Sequence, residues 1–173
     1  MSKRFVIHKH YATRIHYDLR VEKGQKLADW AVPKGIPLSP GKKVLAIKMP
    51  DHDKKWLTFE GFYEGDKGND YGKGKMEIWD KGSYESIRWG NDTIVLNLKG
   101  NKVKGVYVLV KTKDNNWLLF KSKKSAKEYL EEMAIQYMKF KIDRLKEAYG
   151  NGRVFKRMVM KYISALNKYI GGE

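Results

Sequence analysis

The stretch Phe5–Arg20, FVIHKHYATRIHYDLR, contains three of the four histidines of the chain, together with a carboxylate and two guanidinium groups. Residues two apart on a β-strand point to the same side, so a strand through His16, Asp18 and Arg20 presents these three side chains on one face. The apolar residues between them then face the opposite side. A second imidazole, from His10, arrives from the preceding segment. An imidazole, a carboxylate and a guanidinium on one face resemble half of a combined metal and phosphate site.

Short segments with the same alternation, rich in Val, Ile, Trp and Tyr, continue along most of the chain. Such segments favour β-strands, and the Gly, Pro, Asn and Asp residues between them favour turns. Many short strands at this spacing indicate an antiparallel barrel or sandwich. The predicted strands are residues 5–8, 16–22, 26–32, 43–49, 56–63, 75–80, 83–89, 93–99, 106–111 and 117–121.

The pattern changes at Ser125, where Ser125 and Glu128 have the spacing of a capping box. Good helix formers continue to Tyr149, and Gly150 follows as a helix stop. A second helix is predicted after it from apolar residues at i, i+3 and i+4 spacing. We therefore expect a β-barrel domain over residues 1–122 and a helical hairpin over residues 123–173, packed on the barrel.

The composition bounds the class of protein. An apolar share of 42% is typical of a globular chain, and no apolar run is long enough to span a membrane. Lys and Arg number 36 against 20 Asp and Glu, and the resulting net charge of +16 favours nucleic acid as the partner. The chain has no cysteine, which excludes disulfides and thiolate metal sites. Without the apolar stretch of a secretory signal at the N-terminus, the cytoplasm is the expected location.

The spacing of His10, His16 and Asp18 delivers ligands suited to Mn, Fe, Co, Ni or Zn, with coordination positions left open for water and substrate. The ordinary alternative is a set of surface or hydrogen-bonded histidines, and the spacing alone leaves both open. Two later segments favour the metal. Lys34 follows Pro33 at a strand end in ADWAVPKG, and His52 is predicted to lie in a turn in MPDHDKKW. With Arg20, these residues would supply cationic donors for a phosphate.

The order of motifs along the chain resembles the phosphoesterase domain found at the N-terminus of bacterial DNA ligase D and as stand-alone archaeal and bacterial proteins. The resemblance covers about Phe5 to Lys121, roughly two-thirds of the chain. The motifs that carry it are FVIHKHYATRIHYDLRVE, LADWAVPKG, the Asp51-His52 pair, FEG at 59–61, EG at 64–65, YGKG before MEIWDKGSYE, and the late segments VYVLVK and WLLFK.

That resemblance implies a compact β-barrel that binds one manganese ion, with Co²⁺ or Zn²⁺ as other candidates. It implies a DNA repair enzyme of non-homologous end joining that removes a 3′-terminal ribonucleoside from a primer-template as a phosphodiesterase. It also implies removal of the remaining 3′-phosphate as a phosphomonoesterase. The substrates would be DNA or DNA–RNA 3′ ends, and the candidate protein partners are a separate DNA ligase, a polymerase or a Ku-type end-joining protein.

By motif match, the resemblance makes His10, His16 and Asp18 the metal ligands. It places Arg20 and His52 on the scissile phosphate, on the side away from the metal, and makes Lys34 a further phosphate contact. His52 could also protonate the leaving oxygen.

Two positions depart from the family pattern. His8 stands where the family commonly has Gln, and its role is open between a bystander, a group behind the site and an extra phosphate contact. Trp56 stands where relatives have a Tyr that touches phosphate, and an indole cannot fully replace a phenol.

Two other functions are compatible with parts of this pattern. A non-haem iron oxygenase uses the same two histidines and one carboxylate, but it requires neither the basic charge nor the cluster of Arg20, Lys34 and His52. The second is a nucleic-acid-binding module without catalytic activity, which the intact set of candidate site residues disfavours.

Overall fold

A computed structural model of the chain describes residues 3–65 and 72–170, with side chains described up to residue 165. The β part is entirely antiparallel. Its strands are β1 (Lys3–Tyr11), β2 (Ile15–Lys23), β3 (Lys26–Val32), β4 (Lys43–Asp53), β5 (Gly61–Tyr63), β6 (Gly74–Trp89), β7 (Thr93–Gly100), β8 (Lys104–Lys113) and β9 (Asn116–Lys121).

The strands form a closed barrel. Their order is β1-β2-β3-β4-β9-β8-β7-β6, and a further pairing of β1 with β6 closes the ring, while β5 adds to the free edge of β6. Closure removes the open edges that an antiparallel sheet would otherwise leave unpaired. The mainly β fold with an antiparallel barrel and two C-terminal helices is therefore confirmed, and the barrel is the correct choice between barrel and sandwich.

The two faces of the first three strands bury different clusters. Phe5, Ile7, Leu19 and Trp30 belong to the large apolar core. The residues that alternate with these along each strand point the other way, toward a smaller apolar cluster. That cluster is formed by Val6, Leu27, Trp56, Leu57 and Met76. Because side chains alternate along a strand, His8, His10, Asp18 and Arg20 share the face of this smaller cluster. The polar groups of interest therefore lie on the face opposite the large core.

The prediction of a strand over residues 56–63 was wrong. A 3₁₀ helix spans Lys54–Leu57, and only Gly61–Tyr63 is extended. The reason lies in Trp56 and Leu57, which are adjacent in sequence and buried in the same cluster. Neighbouring residues of a strand point to opposite faces, whereas one helical turn allows both to point the same way.

Residues 75–80 and 83–89 were predicted as separate strands but belong to the single strand β6. Gly82 lies opposite Gly100 in the pairing of β6 with β7, and a Cβ atom there would lie 2.1 Å from the carbonyl oxygen of Lys99. The glycine therefore permits a close approach of two strands rather than a turn. One long strand can then pair with β1 along its first part and with β7 along its second part.

The helices are α1 (Ala126–Tyr149) and α2 (Arg153–Ile170). Gly150 adopts a φ of 61°, and its N–H donates to the carbonyl oxygen of Lys146 at 2.9 Å, which ends α1 as the glycine signal predicts. The chain divides into two compact units, residues 1–126 and 127–173. Packing of the helices on the barrel stays a prediction. Neither helix, over the residues that the structure describes, has the length and apolar character needed to cross a membrane.

Candidate metal centre and phosphate site

The register of the first three strands brings the candidate site residues together. His10 lies opposite His16, and His8 lies opposite Asp18, in the pairing of β1 with β2. Arg20 lies opposite Asp29 in the pairing of β2 with β3. Directly paired residues of antiparallel strands project to the same face, with Cβ atoms about 5 Å apart. Strand pairing thus gathers these side chains in one patch.

Candidate ligand atoms of three residues converge in that patch. The Nδ1 atom of His10 lies 3.1 Å from Nε2 of His16 and 3.4 Å from Oδ2 of Asp18. The Nε2 atom of His16 lies 3.3 Å from Oδ1 of Asp18. Ligand bonds of about 2.1 Å at right angles around one ion place neighbouring ligand atoms about 3 Å apart. The three separations therefore match those of ligands that share one first-row metal ion.

The protonation of His16 supports this interpretation. Its Nδ1 atom lies 2.9 Å from the carbonyl oxygen of Arg14, an acceptor, so Nδ1 carries a proton. In the neutral ring the Nε2 lone pair then points at the Asp18 carboxylate and the His10 ring, which are also electron-rich. The hydrogen bond to Asp18 raises the pKa of His16 more than burial lowers it, so positive charge is favoured in this gap. A metal ion can take the same place.

Asp18 is held in its ionised form. Burial acts to raise its pKa, but hydrogen bonds from His10 and His16 and the charge of Arg20 outweigh burial, so the pKa lies far below its usual range. Asp18 and Asp29 are exposed by only 3% and 1%. Two buried carboxylates thus share one permanent cation, Arg20, and the remaining negative charge favours a bound divalent ion. The chemistry and spacing of His10, His16 and Asp18 therefore fit a metal of that kind.

Arg20 connects the candidate metal ligands to the rest of the site. Its Nη2–H donates to Oδ2 of Asp18 at 3.0 Å, and its Nε–H donates to Oδ2 of Asp29 at 3.0 Å. Its Nη1–H donates to Nδ1 of His8 at 2.7 Å. The face of the guanidinium lies 4.9 Å from the ring centroid of Trp56. These contacts fix the plane of the guanidinium and use three of its five N–H groups, so one N–H on each Nη atom remains for substrate.

His8 is fully buried and lies behind Arg20. Its Nε2–H donates to the carbonyl oxygen of Phe59 at 2.9 Å, which leaves Nδ1 unprotonated to accept from Arg20. Burial, followed by the charge of Arg20, lowers the pKa of His8 to about 4. Of the three roles left open by the sequence, direct contact with phosphate does not fit a side chain with 0% exposure. His8 instead orients Arg20.

His52 and Trp56 complete the site. His52 lies at the end of β4, and the prediction of a turn there was wrong, because β4 continues its pairing with β3 as far as Asp53. Its Nε2 atom lies 3.0 Å from Oδ2 of Asp29. The ring of Trp56 packs edge-to-face against His52 at 6.0 Å, while the same ring covers Arg20. The indole thus forms an apolar wall against both Arg20 and His52.

Lys34 stands apart from the other predicted site residues. It lies exposed in the turn after β3, where the N–H of Gly35 donates to the carbonyl oxygen of Val32 at 3.2 Å. No hydrogen bond or ion pair within residues 3–65 and 72–165 joins Lys34 to the cluster. Its contact with phosphate stays a prediction.

Asp29 is the residue of this site that the motifs did not single out. It follows Leu27 and Ala28 and precedes Trp30, all of them buried. A lone carboxylate within such an apolar strand is a signal for a buried partner, because an unpaired buried charge is costly. The sequence does not identify that partner, since only the strand register places Asp29 opposite Arg20.

Sequence comparison finds a family model and several known proteins that are similar to this chain. Residues 8–111 match the family model described as the DNA Ligase D 3′-phosphoesterase domain. The chain is 38% identical over 123 residues to the multifunctional non-homologous end joining protein LigD of Mycobacterium bovis, covering 69% of this chain and 16% of that protein. It is 39% identical over 133 residues to LigD of Mycolicibacterium smegmatis, covering 70% of this chain and 17% of that protein.

A relative from a different bacterial genus gives a similar result. The chain is 36% identical over 131 residues to LigD of Pseudomonas aeruginosa, covering 69% of this chain and 15% of that protein. The match thus spans about one sixth of the length of each of these relatives. The matched family segment contains every residue of the cluster described above.

Proposed function

The chain belongs to the DNA ligase D 3′-phosphoesterase domain family, and on that premise we propose that it is a manganese-dependent phosphoesterase acting on 3′ ends of nucleic acid. Its first activity would be that of a phosphodiesterase that removes a 3′-terminal ribonucleoside from a primer-template and leaves a 3′-phosphate. Its second would be hydrolysis of that phosphate as a phosphomonoesterase. Both activities belong to the repair of DNA ends before joining.

One observation carries the proposal: three converging candidate ligands lie beside a guanidinium, and an imidazole lies next to that guanidinium in the same patch. Arg20 contacts the ligand Asp18 at 3.0 Å, and His52 reaches the same patch through Asp29 at 3.0 Å. A phosphate ester needs positive charge on several sides as charge builds on its oxygens. A metal on one side and a guanidinium with an imidazole on the other meet that need.

Each residue of the site would have a separate role. His10, His16 and Asp18 would hold the ion, which when bound supplies an activated water and polarises a phosphoryl oxygen. Arg20 would direct its remaining N–H groups at the phosphate, with its plane already fixed by three hydrogen bonds. His52, whose side chain is 34% exposed, would contact the phosphate and give a proton to the leaving oxygen.

The net charge of +16 supports nucleic acid as the substrate class. We propose Lys34 as a further phosphate contact, because it is an exposed cation at the end of the strand that carries Asp29. A separate DNA ligase, a polymerase or a Ku-type protein would act on the same DNA ends and are the proposed partners.

The test is a 5′-labelled primer-template with one 3′-terminal ribonucleotide, incubated with Mn²⁺, with products resolved by size and by end group. We expect a product one nucleoside shorter with a 3′-phosphate, followed by a 3′-hydroxyl end. An all-DNA primer of the same sequence and a reaction with chelator are the controls. An intact ribonucleotide-ended primer at high enzyme concentration would refute the proposal.

Variants assign the roles in the same assay. His52→Ala should lower catalysis to a small residual rate and leave Mn²⁺ affinity nearly unchanged in a calorimetric titration, because His52 contacts Asp29 rather than the three candidate ligands. An iron oxygenase with the same ligands would instead require Fe²⁺ and an organic co-substrate. The Arg20 and His52 contacts favour the phosphoesterase over that alternative.

A further inference from the structure

Asp29 lies between the guanidinium and the imidazole of the proposed site. Its side chain is 1% exposed. One oxygen, Oδ2, lies 3.0 Å from Nε of Arg20 and 3.0 Å from Nε2 of His52. The other oxygen, Oδ1, has no hydrogen-bond partner among the residues that the structure describes. A single buried carboxylate oxygen therefore connects Arg20 and His52.

The chemistry of this contact fixes the ring of His52. An ionised carboxylate can only accept hydrogen bonds, so the Nε2 atom of His52 must carry a hydrogen to lie 3.0 Å from it. This holds whether the ring is neutral or protonated. Nε2 is thereby committed to Asp29, and Nδ1 is the nitrogen left for substrate.

Arg20, the second partner of Asp29, holds the Asp29 carboxylate in place. Burying a carboxylate is costly unless it is paired, and Arg20 supplies a permanent charge and an Nε–H donor. Arg20 is itself held by Asp18 and His8. The orientation of His52 thus depends on a chain of buried contacts that begins at the candidate metal ligands.

We propose that Asp29 is a positioning residue that acts through His52, holding its Nε2–H so that Nδ1 faces the leaving oxygen. The inference rests on the proposed function for the role of His52. In the protonated ring, Nδ1–H gives its proton to the leaving oxygen, and the ring becomes neutral with Nε2–H retained on Asp29. Solvent then returns the proton to Nδ1. A carboxylate that orients an imidazole without taking its proton has the same role in hydrolytic triads.

The first test looks for a hydrogen bond between His52 and Asp29 without any substrate. Long-range ¹H–¹⁵N spectra of the four histidines should contain a slowly exchanging, downfield Hε2 signal for His52 in the unaltered chain, and His52→Ala assigns it. The signal should vanish in Asp29→Ala and persist in Asp51→Asn, which changes an exposed neighbour of His52 that pairs with Lys48. Absence of the signal in the unaltered chain, or its persistence in Asp29→Ala, would overturn the proposal.

The second test is a double-mutant cycle on the ribonucleotide-ended primer. Asp29→Ala should lower kcat by about 10- to 100-fold with a smaller change in KM, as is typical of groups that orient a functional side chain. Adding Asp29→Ala to His52→Ala should lower kcat by less than about a further threefold, because the effects of residues that act as a unit are not additive. If the loss of kcat in the double variant equals the product of the two single losses, Asp29 acts independently of His52 and the proposal is rejected.

A conservative variant distinguishes a loss of positioning from a folding defect. Asp29→Asn keeps an acceptor oxygen where Oδ2 lies and should retain more kcat than Asp29→Ala, with similar Mn²⁺ affinity in the two variants because both lack the same negative charge. Equal losses in the two variants would contradict a role in positioning. If the unaltered chain does not cleave the primer, the proposed function fails, whereas the Hε2 signal of His52 still decides whether Asp29 holds the ring.

Discussion

The Nδ1 atom of His8 lies 2.7 Å from Nη1 of Arg20, and the two residues are exposed by only 0% and 3%. His8 is tied on its other side to the carbonyl oxygen of Phe59 at 2.9 Å. An imidazole that donates on one side and accepts on the other thus connects the backbone near the 3₁₀ helix to the guanidinium. A glutamine side chain, with one N–H₂ and one carbonyl oxygen, can make the same pair of contacts. Glutamine and histidine are therefore equivalent in hydrogen bonding at this position.

From this equivalence we expect His8→Gln to keep cleavage of the ribonucleotide-ended primer within about threefold of the original rate, and His8→Ala to lower it by about 10-fold or more. The alanine variant leaves an N–H of Arg20 and a buried backbone carbonyl without partners. Steady-state kinetics of both variants give the comparison. Equal rates for His8→Ala and the original chain would show that Arg20 does not depend on His8.

The pH dependence of folding should also report on His8. Its pKa is lowered to about 4 in the folded chain, mainly by burial, from 6.5. Above pH 6.5 the ring is neutral in both states, whereas below it the unfolded chain binds a proton that the folded chain excludes. The free energy of unfolding should therefore fall between pH 6.5 and pH 4, by on the order of 3 kcal/mol from this residue.

Urea unfolding at several pH values measures this loss, and His8→Gln is the matched control because glutamine does not titrate. The variant should lose distinctly less stability than the original chain over the same range. Parallel stability curves for the two proteins would mean that His8 is not buried as a neutral ring.

Metal binding should depend on each of the three converging ligands. His10→Ala, His16→Ala and Asp18→Ala each remove one donor, and we expect each to weaken Mn²⁺ binding by at least about 10-fold and to abolish cleavage. Calorimetric titration and the primer assay give the two readouts. Full activity in any one of these variants would remove that residue from the ligand set, and His8→Gln should bind Mn²⁺ normally.

Asp80 should matter for stability rather than for activity. It is 4% exposed and accepts hydrogen bonds from the backbone N–H groups of Lys81, Asn101, Lys102 and Val103 at 2.7 to 3.0 Å. Asp80→Ala leaves these donors without their acceptor and should cost about 3 to 5 kcal/mol. Chemical unfolding checks this, with Glu85→Ala as the control on the same strand.

Glu85 is exposed and pairs with Lys99, so its loss should cost less than about 1 kcal/mol. A cost for Asp80→Ala no larger than that of the control would show that solvent replaces the buried acceptor at no penalty.

Much of this fold could be predicted because the faces of strands and the ends of helices depend on residues that are close together in the sequence. Alternation along Phe5–Tyr11 and Ile15–Lys23 indicates which side chains share a face, since that depends only on the two-residue repeat of a strand. The end of α1 follows equally from Gly150. The prediction failed at Trp56, where burial of two adjacent apolar residues in one cluster requires a helical turn.

The sequence by itself determined most of the barrel's strands, the shared face of His16, Asp18 and Arg20, and the donor types of the candidate metal site. Only the tertiary structure decided that Asp29 lies opposite Arg20 and within 3.0 Å of His52. The physical reason is that a two-residue repeat fixes the face of a strand but not its register with its neighbours. Register follows from closure of the whole ring, and it alone turns separate polar residues into one connected site.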